Sequence, residues 1–350
     1  MTTQAYRTRS PLLTIIIAAY NVEIYIDDAL NSLLSHPFID AVDIIVIDDG
    51  SQDRTYAVAQ AVVEADRGEH VLLIHQSNGG LSDARNKGCA HVRTPYVGFL
   101  DGDDMFLPEF LSVVIPLLAG NWDMIEYNAT IINDRNEPLL DLEVVPPVLA
   151  GGRDTDRKTV MHFATRFHCF MWARVYRTTL FDPNPFPIAR HYEDAAVLPS
   201  VYLRARSVYY VTKPLICYRR RFGSITQTHL LQQVHDLHAT GREALARCNG
   251  GEHDEFWHTV YRKVFRRACH VSARVDRAVF RDALNLLGQM AIDYQVATRA
   301  ARRGREVGSL GRFISAVRAD RCVFLIKELG KKVLRRELYR SQQERPAMRQ

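Results

Sequence analysis

The chain has 350 residues, of which 47% are hydrophobic and 24% are charged. This composition is that of an average soluble protein and excludes a disordered, collagen-like or coiled-coil chain. At roughly 150 residues per domain, the length predicts two domains. No stretch approaches the ~20 apolar residues that span a bilayer, and the first ten residues contain no apolar signal-peptide core. We therefore expect a cytoplasmic protein.

The net charge of +5 conceals an uneven distribution. Residues 299–350 contain 15 Lys and Arg against 5 Asp and Glu, whereas the preceding residues contain 30 against 35. A basic tail favours an anionic partner, and an amphipathic helix predicted over 322–339 would suit the inner face of the plasma membrane. The alternative is a helix that packs on the rest of the chain with its basic face in solvent. Nucleic acid is not expected, because no recognition motif accompanies the charge.

Strand and helix patterns alternate through the first hundred residues. Short apolar runs rich in β-branched residues predict four strands, over 13–18, 41–47, 71–75 and 96–100. Helical periodicity predicts three helices between them, over 22–34, 53–64 and 81–91. This alternation predicts an α/β fold with a mostly parallel sheet flanked by helices.

The remainder of the chain divides into an irregular part and a helical part. Prolines and glycines between residues 138 and 152 indicate a hairpin and a loop. One helix and two strands are then predicted, over 191–203, 207–211 and 215–219. From Leu230 onward the pattern is helical to the end. We therefore expect an α/β domain over 1–228 and a basic helical region over 229–350.

Polar residues follow each of the first four predicted strands. They are Tyr20-Asn21, Asp48-Asp49, Gln76 to Asn78, and Asp101 to Asp104. Ligands of open α/β sheets bind outside the carboxyl ends of the strands. We therefore expect these four groups to form one site at a single edge of the sheet.

The acidic run Asp101-Gly102-Asp103-Asp104 closes a buried strand. Carboxylates crowded at one strand end repel one another, and they are tolerated where they bind a hard divalent cation, which prefers oxygen ligands. A cation held there would neutralise a nucleotide diphosphate. The alternative is an acidic turn, because Asp and Gly are turn formers.

Two further segments carry candidate binding residues. Asp48 and Asp49 precede a Gly-Ser turn, and Asp53 is predicted to cap the next helix. One of the paired acids could accept a hydrogen bond from a base N–H or a ribose hydroxyl, or it could tie down the turn. After the third strand, Asn78-Gly79-Gly80 permits close backbone approach to a ligand. Arg85, in the next helix, could reach a phosphate or a base carbonyl, or pair with a strand-end aspartate.

These motifs, in this order, resemble the family 2 glycosyltransferases with the GT-A fold. The resemblance is strong over residues 12–110 and recognisable to residue 228. It implies that the main chain near Ala18 and Tyr20, together with Asp49, holds the uracil of a UDP-sugar. Asn78 and Arg85 would help to hold the nucleotide.

The resemblance also implies roles for the acidic run. Asp101 would contact ribose or metal, Asp103 would ligate Mn²⁺ or Mg²⁺, and Asp104 would touch the donor sugar. The acceptor would be a glycan or lipid-linked glycan of the cell envelope, such as a capsule. A polyanionic glycan would also suit the basic tail.

Later segments complete the resemblance. In similar enzymes a Glu-Asp pair begins a helix and its second acid is the general base; here Asp194 would be the base and Glu193 would orient it or bind acceptor. The alternative is a pair of acids that stabilises a helix start. Trp172 would line the acceptor site, or else belong to the core. Arg219 and Arg221 match a closing motif and would stabilise the leaving group.

Two other classes of function compete with sugar transfer. A nucleotidyltransferase would carry a glycine-rich phosphate loop with a lysine after the first strand, where this chain has Ala18 to Asn21. A non-catalytic module that binds a membrane or a partner would have lost its acidic site residues, which this chain retains. Both classes therefore rank below a metal-dependent, inverting hexosyl- or N-acetylhexosaminyltransferase.

Overall fold

The computed structural model describes residues 10–221 and 230–303. The chain divides into two compact units, 1–224 and 225–350. The predicted domain boundary at 228/229 falls in the gap between the two described ranges and stays a prediction.

The first unit is built on one mixed sheet. Its strands are β1 (Leu13–Ala19), β2 (Val42–Asp48), β3 (Val71–His75), β4 (Tyr96–Asp101), β5 (Met105–Phe106), β6 (Met124–Ile132), β7 (Pro138–Leu142), β8 (Gly151–Asp154), β9 (Arg174–Arg177) and β10 (Ser207–Arg219). Its helices are α1 (Ile26–Leu34), α2 (Thr55–Ala65), α3 (Leu81–His91), α4 (Phe110–Leu118), α5 (Arg157–Arg166) and α6 (Glu193–Arg204).

The strand order is β3-β2-β1-β4-β9-β6-β10-β5, with β7 paired to β6 and β8 paired to β10. Strands β3, β2, β1 and β4 are mutually parallel, and so are β6 and β10. Strand β9 is antiparallel to both β4 and β6, so the two parallel groups run in the same direction. The carboxyl ends of six strands therefore lie along one rim of the sheet, which confirms the predicted α/β, mostly parallel fold.

The four N-terminal strands form where the apolar runs predict them. Strand β1 is buried along its whole length, because helices cover both faces of a parallel sheet. Helix α1, however, begins at Ile26 rather than at the predicted Val22. The N–H of Val22 donates to Thr55 Oγ1, and that of Glu23 donates to Asp53 Oδ2. These bonds to a distant segment hold residues 22–25 outside the helix.

The two strands predicted over 207–211 and 215–219 are one strand, β10. Its pairing with β6 shifts register between Val211 and Pro214 and again between Pro214 and Ile216. Proline cannot donate to the ladder, so the pairing is interrupted at that residue and then resumes. The strand thereby reaches the rim at Arg219.

The described part of the second unit is helical, as predicted. It comprises α7 (Leu231–Ala246), α8 (Asp254–Ser272) and α9 (Phe280–Arg303). Among residues 10–221 and 230–303, no helix is both long and apolar enough to cross a bilayer. The basic helix predicted over 322–339 lies outside the described residues.

Candidate active site

Three aspartates crowd the end of β4. The Asp101 side chain is 28% exposed, Asp103 is partly buried, and Asp104 is buried. Burial, and then the charge of Asp101, raises the pKa of Asp103; burial and the charges of both neighbours raise the pKa of Asp104 well above its ordinary value. The turn is fixed by the Gly102 N–H, which donates to the carbonyl of Ala18. Burial and mutual repulsion therefore disfavour the charged forms of Asp103 and Asp104.

Two arginines from the end of β10 hold this acidic turn. Arg219 donates from its backbone N–H to Asp104 Oδ1 and from Nε to the carbonyl oxygen of Asp103, each at 2.7 Å. Arg221 Nε donates to Asp103 Oδ2 at 2.6 Å. The ring of Tyr25 lies 4.6 Å from the guanidinium of Arg219 and 5.6 Å from that of Arg221. The structure thus places both predicted arginines against the predicted metal-binding segment.

Arg85 links the acidic turn to the start of α6. It is 4% exposed, and it donates from Nη2 to Asp101 Oδ1 at 2.8 Å and from Nη1 to Glu193 Oε1 at 2.5 Å. Burial alone would lower the pKa of Arg85, but Asp101, Glu193 and Asp194 together raise it. The predicted alternative of a strand-end partner is therefore confirmed for Arg85. The two predicted catalytic acids lie in the same charged cluster as Asp101.

The start of α6 has an unusual backbone. Tyr192, which precedes Glu193, has a left-handed conformation with φ of 57°. Few non-glycine residues adopt such a backbone, and such residues cluster at functional sites. Asp194 is half-buried, and its Oδ1 accepts from the N–H of Ala195 at 2.7 Å. Glu193 is buried against Arg85, so its position suits orienting a neighbour.

Asp49 organises the loop between β3 and α3. Its Oδ1 accepts from Gln76 Nε2 and from the Gly79 N–H, and its Oδ2 accepts from the Gly80 N–H, all at 2.8 Å. Asn78 is exposed at the tip of this loop. The structure therefore shows Asp49 tying down the turn, and a contact with a base stays a prediction. Tyr20 is 43% exposed at the same rim.

Two loops of the rim pass each other at Gly50. Its φ is +72°, and a Cβ there would lie 2.7 Å from the amide nitrogen of Asn78. Only glycine permits this close approach without a shift. Asp53 accepts from both the N–H and the hydroxyl of Thr55, the first residue of α2. The N-cap residue itself is Arg54, which makes no side-chain cap bond, so Asp53 stabilises the helix start from one position earlier than predicted.

Trp172 occupies the core rather than an open acceptor surface. It is 4% exposed, and its ring stacks on those of Phe170 and Tyr218, at centroid distances of 4.7 and 5.2 Å. Its carbonyl accepts from Tyr127 Oη at 2.6 Å. This burial and stacking favour the core alternative, and a contact with the acceptor stays a prediction.

Sequence reasoning missed residues that support the site from a distance. Tyr25 approaches Arg219 and Arg221 across almost two hundred positions, and nothing in the sequence around Tyr25 indicates it. Asn136 Oδ1 and the carbonyl of Asn133, in the hairpin after β6, accept from Arg219 Nη1. Both asparagines lie in a polar turn next to a strand end, and this position in the sequence could have indicated them as site residues.

The donor set suits a Mg²⁺ or Mn²⁺ ion that is completed by substrate. Such ions are held by one or two carboxylates together with substrate phosphates. Asp101 and Asp103 provide two carboxylates at the rim, and Asp104 Oδ2 is buried without a hydrogen-bond partner among the described residues. Within residues 10–221 and 230–303, no group of three or more His, Cys, Asp or Glu side chains is spaced to hold a metal.

Two curated glycosyltransferases of Bacillus subtilis are similar to this chain in sequence. The uncharacterized glycosyltransferase EpsJ of Bacillus subtilis (strain 168) is 30% identical over 225 residues, 62% of this chain and 63% of EpsJ. EpsH of the same organism, also named as a glycosyltransferase, is 28% identical over 225 residues, 63% of this chain and 64% of EpsH. The chain thus spans less than two thirds of the length of these curated relatives.

A solved structure shares the fold. TarS 1–349 of S. aureus, in complex with UDP-GlcNAc, superposes with a TM-score of 0.65 at 20% identity, covering 81% of each chain. This likeness shows that the chain has the predicted GT-A fold. Residues 14–177 match the model of glycosyl transferase family 2. This match identifies a glycosyl transferase family 2 domain over slightly less than half of the chain, in agreement with the resemblance that the sequence motifs indicate.

Proposed function

We propose that the protein is an inverting hexosyl- or N-acetylhexosaminyltransferase that moves a sugar from a UDP-sugar to a hydroxyl group of a surface glycan. The observation that carries this proposal is the double ion pair of Arg85 with Asp101 and Glu193. It joins the rim that would hold the donor diphosphate to the helix start that carries Asp194. The proposed donor site and the proposed general base would thereby belong to one cluster.

The donor would lie along the rim from β2 to β4. The main chain near Ala18 and Tyr20, with Asp49, would contact the base, and Asp101 would contact the ribose. Arg221 would contact the diphosphate, because a planar guanidinium matches phosphate oxygens. The presence of UDP-GlcNAc in the TarS complex supports a UDP-linked donor.

Asp103 and Asp101 would hold Mn²⁺ or Mg²⁺, which as a Lewis acid would neutralise charge on the departing diphosphate. Arg219 keeps Asp103 and Asp104 in place for this contact. The charge of Arg221, which is paired with Asp103, partly offsets the negative charge of the acidic run.

Asp194 would act as the general base. It would take the proton of the acceptor hydroxyl while the acceptor oxygen forms a bond to the anomeric carbon of the donor. The bond from that carbon to the UDP oxygen breaks on the opposite side, so the configuration inverts. Glu193, held by Arg85, would orient the first turn of α6 and with it Asp194.

The test is UDP release from a panel of UDP-sugars, with and without Mn²⁺, with acceptor glycans added once the donor is known. We expect Asp194→Asn to lower transfer by about 10²–10⁴-fold while UDP binding persists. Asp103→Ala should abolish the metal-dependent part. The matched control is Asp182→Asn, which removes a charge from an exposed side chain in the segment before α6. Full transfer by Asp194→Asn would overturn the assignment of the base.

Binding of UDP tests the nucleotide assignment separately. Calorimetric titration of the wild type with UDP in the presence of Mn²⁺ should show one site. Failure to bind any nucleotide diphosphate would contradict the proposed function as a whole.

A further inference from the structure

We propose that Arg221 is an exchange partner for Asp103. In the structure it holds the carboxylate, and when metal and donor bind together it would pass to the donor diphosphate. The inference rests on the proposed function. It adds that Arg221 makes the binding of metal and the binding of donor favour each other, which the separate roles of the residues do not predict.

The two arginines at the end of β10 differ in how firmly they are fixed. The Arg219 side chain is 1% exposed and donates to the backbone of Asp103 and to the turn after β6. The Arg221 side chain is 24% exposed, and it donates to the carboxylate of Asp103, which is 19% exposed. Arg219 is therefore part of the scaffold. Arg221 is the arginine that can change partners without opening the core.

Asp103 cannot bind Arg221 and a metal ion equally well at the same time. The guanidinium of Arg221 occupies Oδ2 at 2.6 Å, and a cation at the same carboxylate would compete for that oxygen. Two positive charges a few ångströms apart in a partly buried site also repel each other. Binding of metal alone is therefore opposed by Arg221.

A diphosphate removes this opposition. Its oxygens offer Arg221 a bidentate acceptor of the kind that guanidinium groups match. Metal and nucleotide then bind more tightly together than either binds alone, and this coupling is reciprocal. Asp103 passes from one cation to another, and its charge remains compensated throughout.

Tyr25 provides a surface along which Arg221 can move. The ring lies under the guanidinium groups of both arginines. Its hydroxyl donates to Asp134 Oδ1 at 3.1 Å, which fixes the ring. Attraction of the cation to the ring face would keep Arg221 at the rim after it leaves Asp103.

The experiment measures binding rather than turnover. The affinity for Mn²⁺ is determined by electron paramagnetic resonance with and without UDP, and the affinity for UDP by calorimetry with and without Mn²⁺. For the wild type we expect each ligand to tighten the other by about 5–150-fold. In Arg221→Gln, Mn²⁺ alone should bind more tightly than in the wild type, UDP with Mn²⁺ should bind more weakly, and the coupling should fall but stay above one, because phosphate oxygens would still ligate the metal.

Arg220→Gln is the matched control, because Arg220 is exposed and the same charge is lost one position away. Arg221→Lys keeps the charge without the planar fork, so it should retain part of the coupling, and it carries the test if Arg221→Gln does not fold. Wild-type coupling in Arg221→Gln, or weaker binding of Mn²⁺ alone, would overturn the exchange and leave the proposed function intact. A wild type that binds neither ligand would overturn both.

Discussion

Arg85 and Glu193 form a buried ion pair, 2.5 Å between Nη1 and Oε1, across 108 positions of the chain. The other guanidinium nitrogen of Arg85 binds Asp101. A single side chain thus connects the end of β4 to the first turn of α6. Because both partners are acidic, loss of this arginine would leave the buried Glu193 and the partly exposed Asp101 without their shared cation.

Arg85→Gln should therefore impair both stability and transfer. Removing one partner from a buried ion pair costs about 3–5 kcal/mol, and the start of α6 loses its anchor. Thermal unfolding and kcat measure the two effects. Lys87→Gln, an exposed change two residues further along α3, is the control. Adding Glu193→Gln should recover part of the stability of Arg85→Gln, and strict additivity would contradict the pairing.

Gly50→Ala should lower the free energy of unfolding by more than the cost of placing alanine in a left-handed backbone. Gly68 is also left-handed, with φ of +63°, but an added Cβ there would meet no atom within 4 Å. Gly68→Ala therefore isolates the backbone cost, about 1–2 kcal/mol. Gly50→Ala adds the clash with Asn78. Denaturant unfolding of both variants should show the larger loss at Gly50, and UDP affinity should fall in that variant alone.

The stability that the hydrogen bonds of Asp53 contribute at the start of α2 should depend on pH. Burial acts to raise the pKa of Asp53, but hydrogen bonds from Thr55 and the Glu23 N–H lower it below 3.8 overall. The contribution to folding is thus present above pH 3.8 and is lost as pH falls through the lower, folded value.

Asp53→Ala should cost about 1 kcal/mol at pH 7, the typical value of a lost cap. The difference from the wild type should shrink below pH 3.8. Asp53→Asn keeps an acceptor that does not titrate, so its stability relative to Asp53→Ala should vary less with pH. A constant gap between wild type and Asp53→Ala down to acid unfolding would contradict the cap.

Trp172→Ala should act on folding and not on acceptor binding. Truncating a buried aromatic side chain costs about 3–5 kcal/mol. Trp172→Phe keeps the stack with Phe170 and Tyr218 and should lose much less. Unfolding measurements and the KM for acceptor separate the two roles. A raised acceptor KM in Trp172→Phe with unchanged stability would restore the acceptor interpretation.

The sequence predicts the N-terminal half of the sheet well because its signals are local. Strands β1 to β4 are apolar runs, and their polar ends meet at the rim because parallel strands end together. The short strand β9 gives no such signal. It lies between β4 and β6, and it places a fully buried Arg174 against Glu126 at 2.8 Å. From sequence, a charged residue in a four-residue strand is predicted to be exposed, because its buried ion-pair partner is not known.

The sequence predicts which residues form the site better than it predicts which of them bind one another. The acids of the rim and of α6 follow from spacing and resemblance. That Arg85 bridges two of them, or that Tyr25 lies under two arginines, depends on contacts between distant segments. Such contacts are set by packing, which one sequence does not display.

The attachment of Asp103 and Asp104 to Arg219 has a consequence for how the protein could be shortened. Residues 14–177 suffice to identify the family, yet the strand that fixes these two aspartates ends at Arg219. A fragment stopping at residue 177 would contain the acidic turn without the hydrogen bonds that shape it. The shortest fragment that can keep this turn in its folded geometry is therefore longer than the segment that matches the family model. In a chain emerging from the ribosome, the turn would be completed only after β10 has appeared.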